Sequence, residues 1–410
     1  MTERTLLVVS QRPLDLGGGG SVRWRHLRRA LPNHGWRVVE CSPPIGVTAD
    51  ESSTDSRSAR LAARRAQVMA IAGRVLEPFA RSLRVRPDAF APNNLWALTG
   101  RRAIRDAVRR ERPDIVVATT PPPSAMLASA AAVTGAPLIV EFRDLWAGNP
   151  FFDRGSPLLR RFEARALAPT SAVVTVTQGC RAVLLELHPE IADKLHVLPN
   201  GFESSLLSKR KPARQGPLST LIHAGSLYGD RTAESLVVAL ARPELRGRVR
   251  LELLGVLDPR TRRALAAIDR VDVEAVGSVD WEEAITRVMA AQIAVVINAP
   301  STGGDMALPN KLFEALALGR PVLALATPTS DTARLLERLG QEAGLAPPDD
   351  PAAIAAAIER LLTEPAQPVA PEALAEFDRD RIADRYAELL DDVATRSSSP
   401  KSLGTTTSRR

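Results

Sequence analysis

Cysteine is nearly absent: Cys41 and Cys180 are the only two in 410 residues. Two thiols supply neither a disulfide framework nor a structural zinc site, so both read as ordinary core or surface residues. Long apolar runs are missing too. No uninterrupted stretch of about 18 apolar residues occurs, which excludes a membrane-spanning helix. Met1-Thr2-Glu3-Arg4 and the short apolar run after it lack the hydrophobic region and cleavage site of a secretory signal, so the expected compartment is the cytoplasm. Aromatic residues make up 4% of the chain. With neither zinc-finger spacing nor an aromatic ribonucleoprotein motif, nothing in the sequence calls for nucleic acid. No Asp-x-Asp pair closes a predicted strand, and Asp378-Arg379-Asp380 falls in a terminal helical region, so no metal and no cofactor are expected. Lysine is scarce as well, confined to Lys194, Lys209, Lys211, Lys311 and Lys401.

Arginine therefore carries most of the net charge of +7. Its distribution is uneven, with 14 arginines against four acids between Arg57 and Arg112. Such a surface attracts phosphates or anionic lipid headgroups, which would bring the protein to the inner face of a membrane. A solvated helix face accounts for the same count. The bulk composition, 45% hydrophobic and 25% charged, is that of a globular protein. The length favours two domains over a single core.

Short β-branched runs alternate with helical stretches, the pattern of parallel α/β units. Strands are predicted at Thr5-Leu6-Leu7-Val8-Val9-Ser10, at Trp36 to Glu40, Ile115 to Thr119, Pro137 to Phe142 and Ala172 to Thr177. Between them lie a helix from about Ser21 to Leu31, an arginine-studded helix over Arg60 to Leu83, and helices at Gly100–Glu111, Ser124–Val133 and Pro157–Ala168. After the Pro/Lys/Arg-rich stretch Lys209 to Pro217 the pattern restarts at Leu218 to His223. Further strands are predicted at Val249–Leu254, Val271–Ala275, Ile293–Ile297 and Pro321–Ala326, and closing helices at Pro351–Leu362 and about Pro371–Val393. Two Rossmann-like halves would present their βα loops to one crevice. The expected domains are 1–205, 206–370, a terminal helix over 371–394, and a Ser/Thr/Lys/Arg-rich disordered tail over 395–410.

Two segments suggest anion binding. Gly17-Gly18-Gly19-Gly20-Ser21 sits between a strand and a helix, where glycines admit a close ligand and free N–H groups favour negative charge. The second runs from Met306 through Leu308-Pro309-Asn310-Lys311 to Glu314 and Pro321. Pro309 suits a first helical turn. Lys311 stands near the helix N-terminus, where a cation is unfavourable unless an anion lies between them. Glu314, one turn on, could accept hydrogen bonds from ribose hydroxyls. His223, near Ser226 only in sequence, reads as a core or loop histidine.

This second segment resembles the donor-binding signature of retaining GT-B glycosyltransferases, chiefly glycosyltransferase family 4. Glu141-Phe142-Arg143-Asp144-Leu145-Trp146, the Val174–Thr177 strand, Pro199-Asn200-Gly201 and Gly225-Ser226-Leu227-Tyr228-Gly229-Asp230-Arg231 agree with it in order. The resemblance implies an α/β GT-B fold: two Rossmann-like domains facing a cleft, with the C-terminal helix crossing back to the N-terminal one. It implies metal-independent transfer from a nucleotide-sugar donor. Arg231 and Lys311 would contact the diphosphate, Gly19 and Gly20 would approach it, and Arg143 stands where relatives carry a sugar-contacting histidine. Leu308, Pro309 and Asn310 match the turn that meets the donor, Glu314 the ribose-binding glutamate, and Val279 a residue beside the base. Three positions depart from the pattern: Met306 replaces the first glutamate of a pair, with Asp305 beside it, Ser226 replaces an arginine, and Arg143 replaces the histidine. The acceptor stays open among a lipid-linked or cell-envelope glycan and a secondary metabolite. A noncatalytic or partner-dependent homologue and a nucleotide-sugar epimerase of the same fold remain as alternatives.

Overall fold

The computed structural model describes residues 3–14, 19–43, 96–150, 153, 155–214, 216–269 and 271–398. The helix expected over Arg60–Leu83, Gly17 and Gly18, and the tail beyond Ser398 lie outside these residues. The N-terminal lobe runs β1 (Arg4–Val9), α1 (Gly19–Ala30), β2 (Trp36–Cys41), α2 (Trp96–Glu111), β3 (Ile115–Thr120), α3 (Ser124–Ala132), β4 (Leu138–Phe142), α4 (Pro157–Leu167), β5 (Ala172–Thr175), α5 (Gln178–Leu187) and β6 (Leu195–Val197). Its sheet is parallel, in the order β2-β1-β3-β4-β5-β6. Every residue of β3 and β4 is buried, because helices cover both faces. Alternate residues divide between the layers: Leu7, Val9, Val116 and Ala118 pack with α2, α3 and α5, while Leu6, Val8, Ile115 and Val117 pack with Trp24 and Trp36.

The C-terminal lobe repeats the plan with β7 (Ser219–Ala224), α6 (Glu234–Leu240), β8 (Val249–Leu254), α7 (Pro259–Ala267), β9 (Asp272–Gly277), α8 (Trp281–Ala290), β10 (Ile293–Ile297), α9 (Thr302–Asp305), α10 (Asn310–Ala317), β11 (Val322–Leu325), α11 (Asp331–Arg338), β12 (Leu345–Ala346) and α12 (Pro351–Thr363). Its parallel order is β12-β11-β10-β7-β8-β9. Chain direction across the sheet therefore reverses between β7 and β10, and ligands of open parallel sheets bind outside the strand C-termini at such a switch point. In the N-terminal lobe the corresponding point lies between β1 and β3.

The expected closing helix is divided. Pro371–Leu374 forms one turn, α13, and α14 spans Arg379–Ser398. The break has a backbone cause: Phe202 N–H donates to the Phe377 carbonyl and Arg379 N–H to the Phe202 carbonyl, both at 3.0 Å. The chain thus crosses between the lobes twice at one place. Tyr386 and Leu390 of α14 then pack with Trp24 and Leu27 of the N-terminal lobe. Residues 395–398, expected in the disordered tail, extend this helix instead, and the Arg396–Asp392 ion pair lies along its last turns. Among the described residues no helix is long and apolar enough to cross a membrane.

Candidate functional site

The site begins where β7 ends. Gly225 has φ +146°, and a Cβ there would collide with Lys311 Nζ. Only glycine lets the amine lie against this backbone. Gly255, after β8, supports it from behind, since a Cβ there would meet the Gly225 carbonyl carbon at 2.7 Å. Lys311 Nζ is 3.2 Å from His223 Nε2. The His223 ring is fully buried and its Nδ1 lies 3.0 Å from the Val295 carbonyl on β10. A carbonyl only accepts, so the ring proton belongs on Nδ1 and Nε2 is left to accept from the lysine. Burial, then Lys311, hold the His223 pKa well below its usual value, so the ring is neutral. Burial, reinforced by the Arg231 guanidinium and opposed by Glu314, brings Lys311 down to about 7.

Arg231 follows on the same loop. Its Nη1 donates to the Tyr228 hydroxyl at 3.1 Å, its guanidinium carbon lies 5.0 Å from that ring's centroid, and its buried Nε has no partner among the described residues. Ser226, in contrast, supplies no charge: its hydroxyl accepts the Val256 N–H at 3.2 Å and ties two loops together.

Helix α10 carries Lys311 and Glu314. Pro309 stands at its N-cap in extended conformation, the face with Leu312, Phe313 and Leu316 is buried, and Gly319 at φ +69° follows its end. The turn before it is held from two sides. Asn298 Nδ2 donates to Thr332 Oγ1 at 2.9 Å and Thr332 Oγ1 to the Ala307 carbonyl at 2.8 Å. Asn200 Nδ2, from the interlobe crossing, reaches the Leu308 carbonyl at 3.4 Å. Glu314 Oε1 accepts from Trp281 Nε1 at 3.2 Å and from Arg379 Nη2 at 3.4 Å. Its Oε2 takes no bond among the described residues. Asn310 lines a cavity of about 10 Å³ with Arg23, Pro199 and Arg379, room for one water.

On the opposite lobe Arg143 follows β4. Its Nη2 donates to the Pro121 carbonyl at 3.0 Å and its Nε is buried without a described partner. Burial lowers its pKa. Asp144 is exposed, yet the protein around it desolvates the carboxyl enough to raise its pKa, against the lowering effect of Arg143 and, from the other lobe, Arg231. Glu141 points elsewhere: fully buried, it accepts from Arg23 Nε at 2.9 Å, Trp24 Nε1 at 2.6 Å and Thr119 Oγ1 at 2.8 Å.

Of the residues singled out in the sequence, Lys311 lies against Gly225, within electrostatic reach of Arg231 and with Glu314 a turn away. Arg143 is linked to this group only through its neighbour Asp144, which senses the charge of Arg231. Gly19 and Gly20 open α1. Val279 is half-buried against the C-terminal core beside Trp281. Met306, 7% exposed, joins the apolar cluster of the N-terminal lobe that includes Leu145, Trp146 and Cys180. Asp305, beside it, receives the Thr327 hydroxyl on its carboxylate. The core reading of His223 holds, since the ring is fully buried, but the sequence reading did not foresee its contact with Lys311, nor Trp281 and Arg379 as the partners of Glu314. A histidine two residues before the glycine that ends a strand was the available sign for the first; nothing local marks the other two. Burial pushes the Cys41 and Cys180 thiols up to about 11, and both are free. Among the described residues no group of three or more His, Cys, Asp or Glu side chains is placed to hold a metal.

Two Rossmann-like lobes facing a crevice, with a terminal helix returning to the first, define the GT-B class. The family model Glycosyltransferase Family 4 matches residues 17–206, and Glycosyl transferases group 1 matches residues 219–364. The chain belongs to the GT-B glycosyltransferases of the family 4 type. No curated protein sequence matches it. Among solved structures it is similar to a glycosyltransferase from Rickettsia africae, with a TM-score of 0.63 and 14% identity over 96% of this chain and 99% of that one. HepE from Anabaena in complex with UDP-glucose gives 0.62 and 16% over 95% and 99%. The UDP-GlcNAc 2-epimerase of Neisseria meningitidis bound to UDP-GlcNAc gives 0.53 and 13% over 95% and 100%.

Proposed function

We propose that the chain transfers a sugar from a nucleotide-sugar donor in the C-terminal lobe to an acceptor at the N-terminal lobe, retaining anomeric configuration and using no metal ion. The observation that carries this reading is Lys311 lying against Gly225 at the β7/β10 switch point, close enough to Arg231 on the following loop for the two charges to act on each other. As the bond between sugar and diphosphate breaks, negative charge grows on the departing oxygen. The two cations and the N–H groups opening α10 are placed to receive it. Glu314, with Oε2 taking no bond among the described residues, is the residue we assign to the ribose hydroxyls, and Val279 with Trp281 is the wall we assign to the base. HepE, of the same fold, is seen with UDP-glucose, which supports the donor class. The test is turnover by the purified chain with a panel of nucleotide sugars and candidate acceptors, reading the product anomer by NMR. An inverted product removes retention; release of an epimerised sugar without acceptor replaces transfer by epimerisation.

A partner-dependent homologue is the second reading, favoured by the placement of Met306 in an apolar cluster where the family's first glutamate would serve the donor. It predicts donor binding without turnover until a second chain is added.

The acceptor reading is lipid-linked or otherwise membrane-proximal. Its support is α2, which exposes Arg102 and Arg109 at 92% and 77% and leaves Leu98 63% exposed. Cosedimentation with anionic but not neutral liposomes is the expected result; equal recovery with both vesicles removes the membrane contact and leaves a diffusible acceptor.

A further inference from the structure

Glu314 stands on α10 in the C-terminal lobe, yet one of the two groups that hold it comes from the helix returning to the other lobe. Trp281 Nε1, at the start of α8, donates to Oε1 at 3.2 Å, and Arg379 Nη2, at the start of α14, pairs with the same oxygen at 3.4 Å. The base of that arginine is fixed. Its backbone N–H donates to the Phe202 carbonyl at 3.0 Å, and its other arm, Nη1, pairs with Glu203 Oε1 at 3.4 Å. Just before it, the Asp378 carboxylate accepts from the Ser204 hydroxyl at 2.8 Å. Arg379 is buried, and the same crossing sends Asn200 Nδ2 to the Leu308 carbonyl. Segment 200–204 and the first residue of α14 therefore brace α10 twice, at the turn that opens it and at its glutamate.

A glutamate carboxylate turns easily about its last torsion. Two donors on Oε1 stop that rotation, and Oε2, which takes no bond among the described residues, is held in one direction. The Glu314 side chain is 14% exposed, so the guanidinium also supplies the opposite charge that a largely buried carboxylate needs. Trp281 alone brings neither that charge nor a link to the other lobe.

We propose that Arg379 is a positioning residue for ribose recognition: it fixes Glu314 so that Oε2 meets the ribose hydroxyls, and the nucleotide site of the C-terminal lobe is complete only with the crossing segment seated against it. This rests on the donor reading and on Glu314 as its ribose contact. Arg379 acts through the carboxylate, so a nucleotide without ribose hydroxyls is indifferent to it. A brace that only held the lobes together would serve every nucleotide alike.

Calorimetry on the full chain separates the two. UDP, GDP and ADP are the probes, each beside its 2′,3′-dideoxy analogue. The parent should prefer the ribonucleotide by at least about tenfold, the worth of a hydrogen bond to a charged group. Arg379→Met should lose about tenfold for the ribonucleotide and stay within about twofold for the dideoxy analogue. Added to Glu314→Ala, it should cost nothing further, because the two side chains act as one unit. Arg379→Gln, which keeps a polar group in the buried position, carries the same expectation where the Met variant does not fold. Equal losses for both nucleotides, or an undiminished preference for ribose, overturn the proposal and leave the donor reading intact. A parent that binds both nucleotides equally removes Glu314 from the ribose and the proposal with it. Failure of every nucleotide to bind overturns the donor reading as well.

Discussion

A lysine in the first turn of a helix opposes the helix dipole, and at Lys311 burial and a nearby arginine add to that cost. Such a residue persists where an absent ligand repays it. Lys311→Met should therefore stabilise the unliganded protein, raising Tm by roughly 3 °C for each kcal/mol relieved in a lobe of this size. The native pKa lies below the ordinary 10.5, so between about 7 and 10.5 the unfolded chain binds more protons and native stability rises with pH. The gain from Lys311→Met is then full below pH 7 and shrinks as pH climbs toward 10; melting curves at pH 6.5 and 9.5 check it. Turnover should move the other way. Lys311→Ala and Arg231→Ala should each lose at least about a hundredfold, near 3 kcal/mol of transition-state stabilisation, with unchanged far-ultraviolet circular dichroism; near-normal rates in both would end their assignment. Lys311 was legible in the sequence because the conflict between its charge and its position is local. His223 was not, since its meaning depends on a carbonyl of β10 more than 70 residues away. Glu141 misleads in the opposite sense. It adjoins Arg143 in the motif, yet it bonds Arg23 in the core, and Glu141→Ala should cost about 3 kcal/mol of stability by leaving a buried guanidinium unpaired, as denaturant titration would record.

At the scale of elements, the loop after β7 shows why the strands were readable and their endings less so. Apolar runs such as the fully buried Ile293–Ile297 and the partly alternating Val249–Leu254 sit where their apolar pattern put them, because burial alone dictates it. The conformation of Gly225 is dictated by what must lie against it, and sequence carries no trace of that neighbour beyond the glycine itself. Gly225→Ala tests this. The left-handed φ penalises alanine by about 1 kcal/mol, and its Cβ takes the space of the Lys311 amine. Donor affinity should fall more than tenfold while stability changes little; a variant that binds as the parent does would show that the amine need not sit there. The division of the closing helix was illegible for a related reason. Residues 371–393 have helical composition throughout, and only the pairing of Phe202 with Phe377 and Arg379 interrupts them.

At the scale of the whole molecule, the restart of the strand–helix pattern after the 209–217 stretch made two sheets legible, whereas the contacts that set one lobe on the other were not. They come from single groups far apart in the chain. Thr177 Oγ1 donates to the Met306 carbonyl at 3.0 Å, and Asp331 Oδ2 accepts the Gly179 N–H at 2.8 Å, at the start of α5. A carboxylate meets a helix N-terminus across the crevice, which favours the closed arrangement. Between these contacts Met306 enters the apolar cluster of Leu145, Trp146 and Cys180. Where the family pattern has a glutamate, this chain has an interlobe strut, and the two roles make opposite predictions for Met306→Glu. If the position still faced a donor, the carboxylate would restore a lost contact and raise turnover. As a strut it instead carries a charge into an apolar cluster close to the Asp331 carboxylate, costing several kcal/mol or forcing the lobes apart. We expect a larger radius of gyration by small-angle scattering, a lower Tm and reduced turnover, with Met306→Leu near the parent in all three. A glutamate variant as compact and stable as the parent, and faster, would return this position to the donor site.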